Sequence, residues 1–488
     1  IFGSSGYGKS HTVMLLLLSI AAKLSPEEAH YYVIDYGNGT LLPLRQLPHT
    51  ADYFQLDQEL KIEKFMRIVK DEISRRKLLF QQQEVSSIKM YNSLSNNKLP
   101  LMYIAIDNFD LVKEEMQELE TQLIQFARDG QSLGIYMIFT ATRVQSVRQS
   151  LMNSMKTKIL HYLMDTTETY MAIGKVPFAP EPIPGRAIIK KDHAYFSQIF
   201  LPADGEDDYE LLDSIKEDIG MLKEKYKNAK LPRPVPMLPA ELTMINFTQF
   251  TADAQKTGVI PIGLDEEHVQ PVSVNLAKTK HCIILGQTQK GKTNVLKVIL
   301  NTALLQPTES IGIFDSIDRG LASYASEEKV AYLDTKEQIS LWLDRTEELL
   351  KDREQTYLTA IQQGVVNNLA FSPVMLVIDG YSRFQQSLDS MLQDRLTRFM
   401  KNYSHLGFNV IVSGNNNELT KGFDAFTSEI KQIRQALILM KKSEQTLYTL
   451  PYSRKESDIH PGFGYYVENG KETKIQIPLC VIERKIYT

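Results

Sequence analysis

The chain has 488 residues, 43% of them hydrophobic and 23% charged, with 55 basic against 59 acidic side chains and a net charge of −4. That length exceeds one ordinary core and predicts two or three soluble globular domains. The mildly acidic balance lacks the basic excess of a protein that grips nucleic acid by counterion release, so no nucleic-acid partner is expected.

The chain opens on IFGSSGYGKS (Ile1–Ser10). This reads as the end of a β-strand running straight into a loop of the pattern G-x-x-x-x-G-K-[ST]. The longest apolar run, VMLLLLSIAA (Val13–Ala22), follows directly. It is about half of what a bilayer span needs and predicts a buried core helix. YYVIDYGNGTL (Tyr31–Leu41) is an apolar strand passing into a glycine turn after Asp35, and VKDEISRRKLLFQQQ (Val69–Gln83) is helical. LPLMYIAIDNFD (Leu99–Asp110) carries a second apolar strand that ends on Asp107, and GIYMIFTATR (Gly134–Arg143) a third. The proline-rich PFAPEPIPGRA (Pro177–Ala187) closes this core, DGEDDYE (Asp204–Glu210) is a solvated acidic turn, and LPRPVPMLPAEL (Leu231–Leu242) is an extended linker.

The order then repeats. HCIILG leads into GQTQKGKT (Gly286–Thr293), and IGIFDSIDRGL (Ile311–Leu321), TEELLKDREQTYLTA (Thr346–Ala360), FSPVMLVIDGYS (Phe371–Ser382) and GFNVIVSGNN (Gly407–Asn416) follow in register. The offset between copies is 283 from Gly3 to Gly286, 280 from Asp35 to Asp315, and 272 from Asp107 to Asp379. Strand and helix alternation around such a loop predicts two tandem α/β P-loop NTPase domains of RecA/FtsK-like, doubly wound type, their mostly parallel sheets covered by helices. The expected boundaries are 1–230 for the first module, 231–257 for linker and lead-in, and 258–488 for the second module.

A loop of this kind curls its backbone around phosphate oxygens, aims N–H groups inward, and adds the positive end of the next helix. The nucleotide-binding residues are Gly3, Ser4, Ser5, Gly6, Tyr7, Gly8, Lys9 and Ser10, then Gly286, Gln287, Thr288, Gln289, Lys290, Gly291, Lys292 and Thr293. Lys9 and Lys292 reach the β- and γ-phosphates, and Ser10 with Asp107 and Thr293 with Asp379 hold the metal, so ATP and Mg²⁺ are the expected cofactors. Asp107 and Asp379 are the candidate catalytic acids. Many ATPases place a Glu directly after this Asp to position water, but here Asn108 and Gly380 stand there. Asn orients water and is a poor proton acceptor, and Gly does neither. Both modules are therefore expected to bind nucleotide and to hydrolyse it weakly or not at all, the second more impaired. Asp110 is the next acid along.

Arg76 and Arg353 align on the two long helices, and each reads either as a surface salt bridge or as a subunit contact. The two cysteines, Cys282 and Cys480, make neither a disulfide framework nor a metal cluster, and Cys282 in its apolar strand reads as buried and inert.

The paired modules resemble the FtsK/SpoIIIE class of P-loop translocases and, within it, the EssC/EccC family of type VII secretion ATPases. VIDYGNG, RRKLLFQQQEVSSIKMYN (Arg75–Asn92), TATR (Thr140–Arg143) followed by VRQSL, PGRA (Pro184–Ala187) and HPGFGYYV (His460–Val467) carry the likeness, which spans essentially all 488 residues. Phe463 stands where the family usually has Arg, SGNNNE (Ser413–Glu418) departs from the T-A-x-R pattern, and the role of Arg143 is open. The resemblance implies the second and third ATPase modules of a longer protein whose membrane anchor lies in an N-terminal part. It implies a place on the cytoplasmic side of the bacterial cell membrane, a hexameric ring, other subunits of a membrane secretion complex, and a link to virulence. It further implies small helical WxG-type secreted proteins as partners, engaged through a C-terminal signal, and a linker that packs on a module surface. A DNA translocase of the same superclass and a non-hydrolysing nucleotide-gated receptor are the alternative readings.

Overall fold

The computed structural model describes residues 1–488 except 116, 177, 179, 252–256, 367–368, 452–455, 457 and 481–488. Parts of the expected closing segment of the first core and the tail of the second module therefore lie outside the described residues. The chain divides into two compact units, Ile1–Pro236 and Met237–Thr488.

The first unit carries β1 (Ala29–Asp35), β2 (Thr50–Phe54), β3 (Leu101–Asp107), β4 (Ile135–Phe139), β5 (Lys158–His161), β6 (Arg186–Lys190) and β7 (Ala194–Gln198). β2, β1, β3 and β4 form a parallel sheet in that order. Phe2 bridges Ala141 on one side and Leu160 on the other, so the antiparallel β5-β6-β7 sheet continues beyond the strand that feeds the loop. Parallel strands covered on both faces need apolar side chains throughout, and β1 and β3 are buried along almost their whole length. Their register sets Asp35 beside Asp107 at the carboxyl ends, which is where ligands of open α/β sheets bind.

The second unit carries β8 (Val259–Asp265), β9 (Pro271–Asn275), β10 (Cys282–Leu285), β11 (Ser310–Phe314), β12 (Val330–Tyr332), β13 (Val374–Ile378), β14 (Phe408–Gly414), β15 (Gln435–Ile438), β16 (Phe463–Glu468) and β17 (Lys471–Gln476). They form one sheet in the order β12-β11-β13-β14-β10-β15-β16-β17-β8-β9. β10 lies between β14 and β15 as Phe2 lies between Ala141 and Leu160, so the two units share one plan. The edge strands β2 and β12 were not among the expected elements. Their sequences, TADYF and VAY, are too short and too mixed in polarity to signal a strand.

The apolar run after the first loop is a core helix, Lys9–Lys23. Its Val13, Met14, Leu17, Leu18 and Ala21 are buried against Tyr31 and Val33 and against Leu211, Ile215 and Ile219 of the helix Asp208–Lys225. Among the described residues, no helix is long and apolar enough to cross a membrane. Cys282 is fully buried, and burial pushes its thiol up to about 12.

Arg76 and Arg353 correct both of their expected roles. Arg76 is 0% exposed and donates to Pro100 O at 2.8 Å and Leu133 O at 2.7 Å, with Glu72 at 2.7 Å. Arg353 is 8% exposed and donates to Ser372 O at 2.7 Å and Leu406 O at 2.9 Å. Each guanidinium thus ties the approach to the acidic strand to the approach to its neighbour. A planar fork of five donors suits that task, and the carbonyl acceptors meet the cost of burying it. Both guanidinium groups are buried, and of the two only Arg353 keeps an ion pair at the surface, with half-exposed Glu309 at 3.3 Å.

In the linker, Val235 is buried in the first unit and its N–H donates to Asp52 at 3.0 Å on the edge strand β2. Leu242 and Phe247, the latter on the helix Met244–Thr251, pack with Leu264 and Val269 in the second unit.

Candidate functional site

Each phosphate loop is held by the strands beside it. Ser4 N–H donates to Tyr162 O at 2.8 Å, Ser4 Oγ accepts from Met164 N at 3.1 Å, and the Tyr7 ring lies 4.8 Å from that of Tyr162. Gly6 and Gly8 take φ of +84° and +99°, and a Cβ on Gly6 would project into open space, the cradle expected for a phosphate. In the second loop Gly291 (φ +91°) and Gln289 (φ +62°) make the same turn. Lys9 Nζ rests on Ser4 O at 3.2 Å, and Lys292 Nζ on Gly286 O at 3.0 Å, Gln287 O at 2.8 Å and Asn415 Oδ1 at 3.3 Å. Burial lowers the pKa of both lysines. An anion in the loop would reverse that.

The folding brings together the residues expected to share the metal. Ser10 Oγ donates to Asp107 at 2.9 Å, and Thr293 Oγ1 to Asp379 at 2.8 Å. Each acid also receives a hydroxyl from the neighbouring strand end, Thr140 to Asp107 at 2.6 Å and Ser413 to Asp379 at 2.6 Å. The same hydroxyl oxygen accepts the N–H of the next residue, Asn108 at 2.9 Å or Gly380 at 3.1 Å. Sequence reasoning missed this pair. The signal was a hydroxyl residue at matching positions of TATR and SGNN, which makes Ser413 the counterpart of Thr140. Burial, with Asp35 adding to it, raises the Asp107 carboxyl above its usual range. Among the described residues no group of three or more His, Cys, Asp or Glu is placed to hold a metal. Mg²⁺ suits the site nonetheless, because it takes one carboxylate, a hydroxyl, waters and phosphate oxygens.

No carboxylate follows either acid. Asn108 sits at φ +61°, and its Nδ2 donates to Tyr36 O at 3.1 Å. Gly380 sits at φ +87°. Asp110 braces the turn after β4 instead, accepting Thr142 N at 2.7 Å and Ser146 Oγ at 2.6 Å, while the Arg143 side chain is exposed. In the second module, Glu418 lines the phosphate cleft, about 420 Å³, with Thr288, Lys292, Thr293 and Asp379. Its two oxygens accept the N–H and Nδ2 of Asn415, each at 3.1 Å. Glu418 is an acid that sequence reasoning missed, because it is 39 positions downstream of Asp379.

The first module's cleft is larger, about 710 Å³, and runs from Ser5–His11 past Gly185 to Phe200, Leu201 and Asp208. Gly185 N donates to Tyr7 O at 3.2 Å and Gly185 O accepts Ile199 N at 2.8 Å, so the P-G-R element buttresses the loop. A Cβ on Gly185 would meet the Ile199 carbonyl oxygen at 3.0 Å, and its φ is +82°, so any other residue is strained there.

Residues 1–159 match the FtsK/SpoIIIE family. The ESX secretion system protein EccC of Geobacillus thermodenitrificans is 55% identical over 478 residues, covering 98% of this chain and 32% of that protein. The chain thus spans about a third of the length of the curated relatives it matches. The solved structure of EssC (ATPases 2 and 3) from the same organism superposes with a TM-score of 0.91 at 54% identity, over 98% of this chain and 91% of that one. Thermomonospora curvata EccC (ATPases 2 and 3), solved in complex with a signal sequence peptide, shares the fold at 23% identity and a TM-score of 0.56, over 98% and 87% of the two chains.

Proposed function

This chain belongs to the EssC/EccC family of type VII secretion ATPases and corresponds to its ATPases 2 and 3, and from that premise we propose that its two modules hold ATP·Mg²⁺ and hydrolyse it weakly or not at all. One observation carries the reading. The hydroxyl–carboxylate pairs Ser10–Asp107 and Thr293–Asp379 form alike in both modules, yet the position after each acid offers an amide already bonded to Tyr36, or no side chain. Lys9 and Lys292 hold the phosphates, Asp107 and Asp379 accept the hydroxyls that share the metal, and Mg²⁺ neutralises phosphate charge when bound. Neither Asp110 nor Glu418 is free, since Asp110 already accepts hydrogen bonds from the turn after β4 and Glu418 from Asn415 of its own loop.

On this reading the modules work on the cytoplasmic face of a membrane secretion complex, in a hexameric ring, and receive small helical secreted proteins through a C-terminal signal. The signal-peptide complex of the Thermomonospora relative supports that partner class. Calorimetric titration with ATP and Mg²⁺ tests the nucleotide reading. Two sites are expected, one lost in Lys9→Ala and the other in Lys292→Ala. Binding that survives both substitutions together overturns it.

A further inference from the structure

The two nucleotide clefts differ on the side away from the metal. In the first module the carbonyl of Gly185 receives Ile199 N at 2.8 Å, which sets Phe200 and Leu201 beside the loop. Phe200 is 79% exposed and Leu201 53%, yet both line the cleft that contains Gly8, Lys9, Ser10 and His11. The cleft then reaches Asp208, the first residue of the helix Asp208–Lys225, whose N-cap is Asp207, bonded to Tyr209 N and Glu210 N. Capping is therefore already supplied, and the Asp208 carboxylate is not needed for it.

The second module repeats the frame and closes this side. Gly462 O receives Ile477 N at 2.7 Å, the counterpart of the Gly185–Ile199 bond. The next residue is Pro478, where the first module has Phe200. Its carbonyl accepts Asn294 Nδ2 at 2.9 Å, and Asn294 Oδ1 accepts Cys480 N at 2.9 Å. Asn294 stands at the position of His11, so a staple between the loop helix and the chain after β17 occupies the space that is open in the first module.

We propose that Phe200 and Asp208 form the base and ribose subsite of the first module, with the Phe200 ring stacking on a purine and Asp208 accepting ribose hydroxyls. The second module lacks this subsite and holds nucleotide by its phosphates. An exposed, unbranched aromatic face beside a phosphate loop suits a base, because every base has a π-face and stacking needs no hydrogen-bond match. Ser10, which donates to Asp107, marks the metal end of the cleft, so the end beyond His11 is the one left for the nucleoside. The inference rests on the nucleotide-binding reading above.

The test uses the full chain carrying Lys292→Ala, so that only the first module reports, and titrates it with ATP and with inorganic tripolyphosphate, each with Mg²⁺. Phe200→Ala should weaken ATP about tenfold and leave tripolyphosphate unchanged, and Phe200→Trp should restore ATP affinity. Unchanged tripolyphosphate binding also shows that the variant is folded. Equal ATP affinity in Phe200→Ala and its parent overturns the subsite alone. A parent that binds neither ligand overturns the nucleotide-binding reading, and the subsite with it.

Discussion

The two modules share the hydroxyl–carboxylate arrangement where phosphate and metal are expected and differ in several of the contacts around the loop. Ser10–Asp107–Thr140 and Thr293–Asp379–Ser413 make the same pair of hydroxyl-to-carboxylate hydrogen bonds. Beneath the loop the chemistry changes. In the first module His161 Nε2–H donates to Thr12 Oγ1 at 2.9 Å, and Thr12 donates on to Gly8 O at 2.9 Å. In the second module the same places hold Leu439 and Val295, both buried. A polar pair, in which His161 Nδ1 is buried without a partner, has been exchanged whole for an apolar pair that keeps the support. The proposed grip on phosphate is thus the shared part of the plan. Its underside, its nucleoside side and its water side are the variable parts.

The largest expected effect is on the buried clamps. Arg76→Ala strips Pro100 O and Leu133 O of their donor, and should cost the first unit roughly 3–5 kcal/mol. Arg353→Ala should cost the second unit less, because its acid partner Glu309 is half-exposed. Urea unfolding followed for each unit reads both, and equal losses would break the contrast.

Acid should separate the units next. Burial pushes His30 and His161 down to about 4 in the first unit, and His281 likewise in the second. A histidine lowered in this way gains its proton on unfolding, so its contribution is intact above about pH 6.5 and is lost as pH falls toward 4. Each is worth roughly 1–3 kcal/mol over that window, and the first unit should unfold at the higher pH. Simultaneous acid transitions would contradict this.

The exchange beneath the loop gives the smallest effect. His161→Leu alone removes a partner from Thr12 and should cost about 1–2 kcal/mol. Adding Thr12→Val recreates the second module's pair and should recover most of it. Thermal unfolding of the two variants decides, and a double variant worse than the single one would show that the pairs are not interchangeable.

The sequence made the loops, the acidic strands and the core helix legible because each is a contiguous pattern with its own periodicity or spacing. Residues whose roles depend on distant partners were not legible. Arg76 and Arg353 looked like surface charge on long polar helices, since the carbonyls they bind come from strand approaches far along the chain. Thr140 and Ser413 were hidden in unlike tetrapeptides, and Glu418 in a polar run. Phe200 drew no notice, because one aromatic residue after a strand carries no signal until Gly185 is seen to place it beside the loop.

The proposal that both modules hold ATP and turn it over weakly or not at all rests on the lack of a carboxylate directly after Asp107 or Asp379. Phosphate release from the chain under saturating ATP and Mg²⁺ tests it most directly. Release at or little above the buffer background while two nucleotides stay bound is the predicted result. Many turnovers per chain, abolished by Lys9→Ala or Lys292→Ala, would contradict it.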